Sequence, residues 1–579
     1  MVCSWDLNES TDCRRWYLQK RLNNPATESV VFVETTARSL LTFNLKFKIR
    51  NVTIFPMTRV IVFLLLISIT TFGQTVQLNT DPIERIKDEG LNRSELIKTL
   101  TYLTDVIGPR LTNSPNYRRA SVWTRDQLTS WGLKNAHLEP FGPFGRGWEL
   151  KRFSAQVIEP QDIPLIAYPL AWSPATNGEL VADIVYLDAA SEADFSKFKG
   201  QLNGKIVLLD GVRKVEAHFE PLGRRWNDFD MLQYATDQPY PPGNPDLGPP
   251  PSPEQLQRGR FRAARLRFAF DEGAALVLSP AGAEFDGGTI NAQAAEVPLA
   301  HDGKRIRAAE KDAKTLPQVV VSVEQYNRMV RMIQAGEKVR AAFDLAVKFY
   351  DDDLMSSHTI AEIPGGDLKD EVVMMGAHLD SWHSGTGATD NGAGVAVMME
   401  AARIIQTLQL KPRRTIRVAL WGGEENFGGS RFYVRDHFGH CERTTGNKCT
   451  LVKKPEYDRL SAYLNLDAGT GKVRGVFLSH NEALRPVLRP WIEPFRSMGV
   501  STLTINGDWG SDFYFFDEIG IPIVNFIQDE IEYDTRTHHT NQDVFDRIQP
   551  DDLKQAAVVV AAFAYQIAMR DEKLPHRPL

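Results

Sequence analysis

The second half of the chain alternates short apolar runs with longer helical patterns. From about residue 346 to the end, four runs have the length and composition of buried strands: EVVMMGA, TIRVALW, AYLNL and PIVNFI. Longer patterns with apolar residues at helical spacing lie between or after them, such as GVAVMMEAARIIQTLQL and DDLKQAAVVVAAFAYQIAM. This alternation predicts an α/β fold whose central sheet is mixed but largely parallel and carries helices on both faces.

The chain before residue 346 contains two different sequence patterns. Residues 81–162 contain amphipathic helical patterns, such as LNRSELIKTLTYLTDVIG, and the strand run FSAQVIEP, so we interpret them as the opening of the same α/β domain. Residues 163–345 instead carry short apolar runs separated by turns: ADIVYL, GKIVLLDG, AALVLSP and PQVVVSV. We therefore predict a separate β-rich insert at 163–345, with 346–579 as the main part of the α/β domain.

The amino-terminal region predicts export. Residues 57–73, MTRVIVFLLLISITTFG, have the layout of a secretory signal peptide, and the apolar run is short for a membrane span. We interpret residues 1–56 as a non-native upstream leader; the alternative is an internal apolar strand behind an unusual leader. Cys441 and Cys449 bracket a polar loop and suit a disulfide in an oxidising compartment, whereas a zinc site there would need more ligands. The sequence thus predicts a secreted or periplasmic protein without a stable membrane anchor beyond the signal peptide.

The overall charge argues against one class of partner. The formal net charge is −6 and the isoelectric point is near 6.1, and the chain lacks the basic stripe that nucleic-acid-binding proteins usually carry. We therefore expect no nucleic acid as a partner.

Histidines and carboxylates follow the strand runs of the second half. They lie just past a strand or in the loop beyond it: His378, Glu424, Glu425, Asp467 and His539. Because ligands of open α/β sheets bind at the carboxyl ends of the strands, separate segments can deliver these groups to one crevice. Imidazole and carboxylate ligands without cysteines suit zinc or a similar divalent metal. These groups are too many for one tetrahedral ion, which predicts two metals that share a bridging carboxylate.

Five motifs occur in a recognisable order: GAHLDSWHSGTGATDNGAG, WGGEEN, LNLDAG, GSDFYFF and HHTNQD. Together with IGPRLTNSPNYRRA near the start, they resemble the co-catalytic di-zinc exopeptidases, a family that includes secreted aminopeptidases and glutamate carboxypeptidases. The resemblance implies two zinc ions bridged by Asp390. His378 and Asp467 would complete one site, and Glu425 and His539 the other.

The same resemblance implies further roles. Glu424 would be the general base, and Asp380 would hold the imidazole of His378 by a hydrogen bond. The choice of His539 over its neighbour His538 rests on its place directly before the threonine of HTNQD. The insert resembles the protease-associated domain found in part of the family, which would act as a lid or a substrate-access element.

Other residues near these motifs keep two interpretations. His383 stands where relatives carry aspartate, and we interpret it as a loop histidine without a direct role. Asp512 either shapes the pocket or caps a helix. Tyr514 and Tyr533 are both candidates for stabilising the oxyanion.

These features predict a secreted di-zinc exopeptidase, an aminopeptidase or a dipeptidase, that acts on peptides or dipeptides with a free amino terminus. Two alternatives use the same scaffold: a non-catalytic binding protein, and a mono-zinc cyclising acyltransferase. The presence of every expected ligand, together with Glu424, favours the enzyme over the binding protein. The sequence leaves open the substrate side chain and the formation of a homodimer.

Overall fold

The computed structural model describes residues 81–238, 252–282, 284–300, 303–443, 449–508 and 510–578. The predicted leader at 1–56 and the predicted signal peptide at 57–73 lie outside these ranges. Within them, every helix is too short or too polar to cross a membrane.

The described residues form two eight-stranded sheets, a two-stranded sheet of β13 and β14, and the helices that cover the large sheets. The strands are β1 Lys134–Phe141, β2 Gly147–Glu159, β3 Ile163–Pro164, β4 Ala167–Pro169, β5 Glu179–Tyr186, β6 Ile206–Leu208, β7 Leu276–Pro280, β8 Gln318–Val321, β9 Arg340–Tyr350, β10 Ser356–Ile363, β11 Leu368–His378, β12 Arg414–Trp421, β13 Gly439–Arg443, β14 Cys449–Lys453, β15 Leu460–Asn465, β16 Val473–Phe477, β17 Thr502–Thr504 and β18 Ile523–Gln528. The α-helices are α1 Pro82–Asn92, α2 Leu96–Thr101, α3 Pro115–Ser130, α4 Asp228–Thr236, α5 Pro253–Asp271, α6 Val323–Gln334, α7 Ala393–Thr407, α8 Glu424–Phe427, α9 Arg431–His437, α10 Arg485–Ile492, α11 Phe513–Glu518 and α12 Pro550–Met569.

The first sheet has the strand order β1-β10-β12-β11-β15-β18-β16-β17. Its centre is parallel, because β12, β11, β15 and β18 pair in the same direction. Antiparallel pairs lie on both sides, between β1, β10 and β12 and between β18 and β16. The four strand runs predicted in the second half are the four central strands, and the predicted mixed α/β fold is confirmed.

Helices cover both faces of this sheet because its central strands are apolar on both sides. In β11, Val373 and Met375 point to the face covered by α7 and α12, and Val372 and Met374 point to the face covered by α9 and α11. These four side chains are at most 6% exposed. Such burial stabilises the fold by roughly 1.5–3 kcal/mol for each large apolar side chain, and it fixes the positions of the strand ends.

The second sheet has the order β3-β2-β9-β5-β6-β7-β8-β4, with parallel pairing from β5 to β8. It begins at Gly147 and ends at Tyr350, so β2 lies entirely before residue 163 and β9 continues beyond residue 345. The predicted strand FSAQVIEP therefore pairs in this sheet, as part of β2. The division of the chain into domains stays a prediction.

A buried ion network fastens α1 against α7. The guanidinium of Arg403 donates two hydrogen bonds of 2.9 Å to the carboxylate of Glu400 and one of 2.9 Å to Glu89. Glu400 is 1% exposed. Arg403 is thus the cation that compensates Glu400, and it shares the carboxylate of Glu89 with Arg93, whose Nε lies 2.6 Å from Glu89 Oε2.

A second charged group joins β1 to α9. The imidazole of His437 lies between the carboxylates of Glu139, at 2.8 Å, and Glu456, at 3.0 Å. Hydrogen bonds to these two carboxylates outweigh partial burial and raise the pKa of His437 to about 9. Nearby, the expected disulfide between Cys441 and Cys449 is present and joins β13 to β14.

Candidate metal centre

The predicted ligands meet at the carboxyl edge of the first sheet. His378 is the last residue of β11, and Asp467 lies two residues beyond β15. Glu425 lies in α8, shortly after β12, and His539 lies in the loop that follows β18. Asp390 lies in the turn that leads into α7. Neighbouring parallel strands end side by side, which brings these distant residues together.

Three of these residues form a first cluster. The Nε2 atom of His378 lies 3.1 Å from Asp390 Oδ1 and 3.3 Å from Asp467 Oδ1. His378 is 1% exposed and Asp390 is 4% exposed. The other oxygen of Asp467 accepts a hydrogen bond of 2.5 Å from Ser511 Oγ, which fixes the orientation of that carboxylate.

A second cluster lies on the other side of Asp390. The Nε2 atom of His539 lies 3.2 Å from Asp390 Oδ2 and 3.0 Å from Glu425 Oε2. Each oxygen of Asp390 therefore faces one of the two histidines. A carboxylate placed in this way between two ligand groups suits a bridging role.

The chemistry of this donor set fits divalent cations. Asp390 Oδ2, Asp467 Oδ1 and both oxygens of Glu425 are buried. Imidazole Nε2 atoms lie 3.0–3.3 Å from three of these oxygens, but none of the four accepts a hydrogen bond of good geometry from the described residues. Buried carboxylate oxygens are costly unless a hydrogen bond or a cation compensates them. The site therefore holds strong acceptors that face one another, which is the environment that a metal ion requires.

The pKa values of the cluster indicate the same preference for positive charge. Burial opposes protonation of His378, but the carboxylates of Asp467 and Glu424 outweigh it and raise the pKa of His378 well above its ordinary value. Burial and the charge of Asp390 raise the pKa of Glu425 to about 7. Metal binding would displace the imidazole protons, because the ligand form of histidine is neutral.

Glu424 lies beside the clusters without joining either. Its Oε2 is 4.0 Å from His378 Nε2, and its side chain is 21% exposed. Burial raises the pKa of Glu424 well above its ordinary value; His378 opposes this rise, and the negative charges of Asp467 and Asp512 add to it. Glu424, the predicted general base, is thus the one carboxylate of this group that lies close to His378 and is also accessible to solvent.

Two glycines allow the turn that presents the adjacent glutamates. Gly423 has φ +82°, a left-handed conformation that glycine adopts without strain. A Cβ atom on Gly422 would lie 1.9 Å from Tyr117 Oη, so any larger residue would collide with that side chain. Gly422 is therefore required by the close approach of α3, and Gly423 is favoured by its left-handed backbone conformation.

Asp380 holds His378 in a different way from the one predicted. The imidazole Nδ1 contacts the main-chain carbonyl of Asp380 at 3.0 Å, while the nearer carboxylate oxygen is 3.7 Å away. That carboxylate accepts hydrogen bonds from Thr112 Oγ1, at 2.6 Å, and from the backbone N–H of Glu424, at 3.3 Å. The side chain of Asp380 thus positions the general-base candidate, and its backbone positions the histidine.

Two buried groups outside the predicted set shape the turn that carries Asp390. The carboxylate of Asp543 accepts hydrogen bonds from Thr389 N at 2.6 Å, Thr389 Oγ1 at 2.8 Å and Asp390 N at 3.2 Å. Arg110, which is 0% exposed, donates to the carbonyls of Leu379, Thr386 and Gly387 at 2.8 Å each. Both residues lie in quoted motifs, HHTNQD and IGPRLTN, but a carboxylate or guanidinium that serves backbone groups leaves no pattern in the sequence.

The remaining histidines of the motifs have distinct environments. The ring of His538 lies 3.8 Å from that of His539, and its Nε2 is 3.9 Å from Asp390 Oδ2, so it is farther from the bridging carboxylate than His539. Asp390, His538 and His539 nevertheless form a possible three-ligand group. His383 is buried, and its Nε2 contacts the carbonyl of Pro169 at 2.7 Å, which is a structural contact to the second sheet.

Asp512 and the two tyrosines also differ in their surroundings. The carboxylate of Asp512 accepts a hydrogen bond of 2.6 Å from Ser430 N, so it braces the segment after α8 instead of capping α11. Tyr533 is 7% exposed, and burial and the carboxylate of Asp390 raise its pKa well above the ordinary value. Tyr514 hydrogen-bonds to Arg443.

Comparisons with known proteins agree with this geometry. Residues 358–564, which include every ligand candidate, match the model of Peptidase family M28. These residues belong to that peptidase family. The chain is 27% identical to carboxypeptidase Q from Mus musculus over 488 residues, which cover 84% of this chain and 87% of the relative.

Two solved structures share the fold of this chain. A peptidase M28 precursor from Shewanella amazonensis has a TM-score of 0.59 and 25% identity, covering 86% of this chain and 98% of that one. An aminopeptidase from an Aneurinibacillus strain has a TM-score of 0.50 and 21% identity with the same coverage. The predicted family and the predicted enzyme class, a metallopeptidase, are confirmed.

Proposed function

We propose that this M28 peptidase is a di-zinc exopeptidase, an aminopeptidase or a dipeptidase, that removes residues from peptides with a free amino terminus. The observation that carries the proposal is the carboxylate of Asp390, whose two oxygens face His378 and His539 at 3.1 and 3.2 Å. The unpartnered buried oxygens of Asp467 and Glu425 complete one ligand group on each side.

The residues divide the work of such a site. His378 and Asp467 would hold one zinc ion, His539 and Glu425 the other, and Asp390 would contact both. When bound, the two ions polarise the scissile carbonyl and lower the pKa of water. Imidazole and carboxylate ligands without thiolates suit zinc in a catalytic setting.

Glu424 carries the proton. Its carboxylate accepts a proton from the water that attacks the peptide carbonyl and then donates it to the nitrogen of the leaving amine. The hydrogen bond between its backbone N–H and Asp380 keeps it at the edge of the cluster. Tyr533 is the better placed of the two tyrosines to donate to the developing oxyanion, because its ring stacks at 4.8 Å on that of His538, which lies directly beside the ligand candidate His539.

The test of this function is metal content measured together with hydrolysis. We expect about two zinc ions per chain, and hydrolysis of dipeptides or amino-acid amides that a chelator abolishes and added zinc restores. One zinc ion without hydrolysis would favour the cyclising acyltransferase. Absence of bound metal would point to a binding protein and overturn the ligand assignment.

We also propose that the protein is exported, on the basis of the apolar run at 57–73 and the Cys441–Cys449 disulfide. The protein recovered from the periplasm or the medium should then begin shortly after residue 73. A mature protein that remains in the cytoplasm with residues 57–73 attached would refute export.

The second sheet has a proposed role in substrate access, as the resemblance to a protease-associated domain implies. Its segment 288–291 contacts Asn541, two residues after His539. Because the substitution Asn541→Ala removes these contacts, we expect it to raise the KM for longer peptides more than the KM for amino-acid amides. Equal KM values in the variant and the wild type would count against this role.

A further inference from the structure

The two histidines of the metal centre are oriented by different parts of the chain. The Nδ1 atom of His378 contacts the carbonyl of Asp380, two residues away, at 3.0 Å. The Nδ1 atom of His539 contacts Nε2 of the Gln293 side-chain amide at 2.7 Å, across a sequence separation of 246 residues. Gln293 belongs to the segment between β7 and β8 of the second sheet. One ligand is therefore supported locally and the other from a different sheet.

Hydrogen bonds join the backbone of Gln293 to the segment that follows β4 of the second sheet. Its carbonyl accepts a hydrogen bond of 2.8 Å from Ala171 N, and the Ala171 carbonyl accepts one of 2.8 Å from Ala295 N. The preceding residue, Leu170, donates to the carbonyl of Gln318 at the start of β8. These bonds to the sheet fix the backbone position from which the Gln293 side chain reaches His539.

The segment before Gln293 is also hydrogen-bonded to the loop that carries His539. Ile290 N donates to Asn541 Oδ1 at 2.8 Å, and Asn541 N donates to the carbonyl of Ile290 at 2.9 Å. The Asn541 side chain adds a bond of 3.2 Å to the carbonyl of Gly288. Between these contacts, His539 adopts φ +60°, a left-handed conformation that is uncommon for a residue with a side chain. Contacts from the second sheet therefore stabilise an unfavourable backbone conformation at a ligand.

We infer that Gln293 is a positioning residue for the second metal site, so that the second sheet supports zinc binding by His539. The inference rests on the proposed zinc function. When Nε2 of an imidazole binds a metal, its proton is carried by Nδ1, which then needs a hydrogen-bond acceptor. The structure places the amide Nε2 at 2.7 Å from Nδ1. The oxygen and nitrogen of a glutamine amide are nearly equal in size, so a rotation of the amide by about 180° presents the oxygen to that proton at the same position. The hydrogen bond fixes both the orientation of the ring and the tautomer that binds metal.

The test compares Gln293→Leu with Gln293→Glu in the full chain. Leucine removes the acceptor at similar size, whereas glutamate keeps an acceptor for the Nδ1 proton. Zinc content and the two zinc dissociation constants are measured by competition with a chelator. We expect Gln293→Leu to weaken one of the two zinc ions by about 10–100-fold and to leave the other unchanged, which is the usual effect of losing such a partner. Gln293→Glu should bind both ions at least as tightly as the wild type.

Two controls separate positioning from general damage to the fold. Gln325→Leu makes the same change at a half-buried position of α6, where the amide contacts backbone groups at and next to β3, and should leave both zinc constants unchanged. If Gln293→Leu fails to fold, Gln293→Asn, whose shorter amide withdraws from the ring, should weaken the same ion. Urea unfolding of each variant in chelator reports the stability of the metal-free protein.

The outcomes distinguish this inference from the proposed function. If the wild type binds two zinc ions and Gln293→Leu binds both with unchanged affinity, only the role of Gln293 is overturned. Equal weakening by leucine and glutamate, or weakening of both ions together, would likewise show a structural role instead of positioning. A wild type that binds no zinc would overturn the proposed function first, and this inference with it.

Discussion

Replacing Glu424 by glutamine should separate proton transfer from metal binding. Glutamine has nearly the size of glutamate but cannot accept the proton. The Glu424 carboxylate lies 4.0 Å from His378 Nε2, whereas the predicted ligand pairs lie between 3.0 and 3.3 Å, so its loss leaves both ligand groups intact. A general base contributes typically 10²–10⁴-fold, so we expect kcat to fall by that factor, equivalent to roughly 3–5 kcal/mol in the barrier. Zinc content and KM should change little.

The neighbouring residue offers a matched control. Glu425→Gln makes the same chemical change one position along the chain, but Glu425 Oε2 lies 3.0 Å from His539 Nε2 and belongs to a ligand group. We expect this variant to lose about one zinc ion and to regain activity as zinc is added. The assay combines elemental analysis with initial rates of dipeptide hydrolysis over a zinc titration. A Glu424→Gln protein that keeps kcat within tenfold of the wild type, or that loses zinc, would refute the division of labour between the two glutamates.

Three further predictions concern the bridging ligand, a buried ion network and pH. Asp390→Ala should release both zinc ions, and full zinc occupancy in elemental analysis would exclude the bridging role. Arg403→Met leaves the buried carboxylate of Glu400 without a cation, whereas Glu89 keeps Arg93 at 2.6 Å. This should cost about 3 kcal/mol of unfolding free energy; a loss below 1 kcal/mol in urea unfolding would contradict this. His437 has its folded pKa raised to about 9, so its stabilisation is complete below its unfolded pKa, near 6.5, and is lost as pH rises through 9. After solvent screening we expect roughly 1 kcal/mol between pH 6.5 and 9, and a His437→Gln protein with the same pH slope as the wild type would contradict it.

The strands that surround the site were predictable because they are buried on both faces. Such strands appear in the sequence as continuous apolar runs, and the four runs predicted in the second half are the four central strands β11, β12, β15 and β18. The pairing of strands outside this core was harder to predict. Most residues of β2 are partly or fully exposed, and its sequence does not show which sheet it joins. Its pairing with β9, nearly 200 positions away in the sequence, is decided by tertiary contacts.

The residues of the site also differ in how well the sequence predicts them. Residues that must be histidine or carboxylate to bind a metal stand out by their chemistry and by their place at strand ends, as His378 and Asp467 do. Residues that act on backbone groups do not stand out, because many side chains can accept or donate to a backbone. Asp543, Arg110 and Gln293 belong to this second class: each contacts a turn or a ligand from a distant part of the chain.

The charges of the site connect metal binding to the activity of its base. Four carboxylates, those of Asp390, Asp467, Glu424 and Glu425, face two imidazoles in a largely buried cluster. Without metal, burial and neighbouring carboxylates raise the pKa of Glu424 well above its ordinary value, which disfavours the ionised form that accepts a proton. Two divalent ions carry four positive charges, which would balance the four carboxylates and favour the ionised form of Glu424. In the proposed function, zinc would supply the electrophile and also favour the ionised, proton-accepting form of Glu424, so removal of zinc should reduce both functions at once.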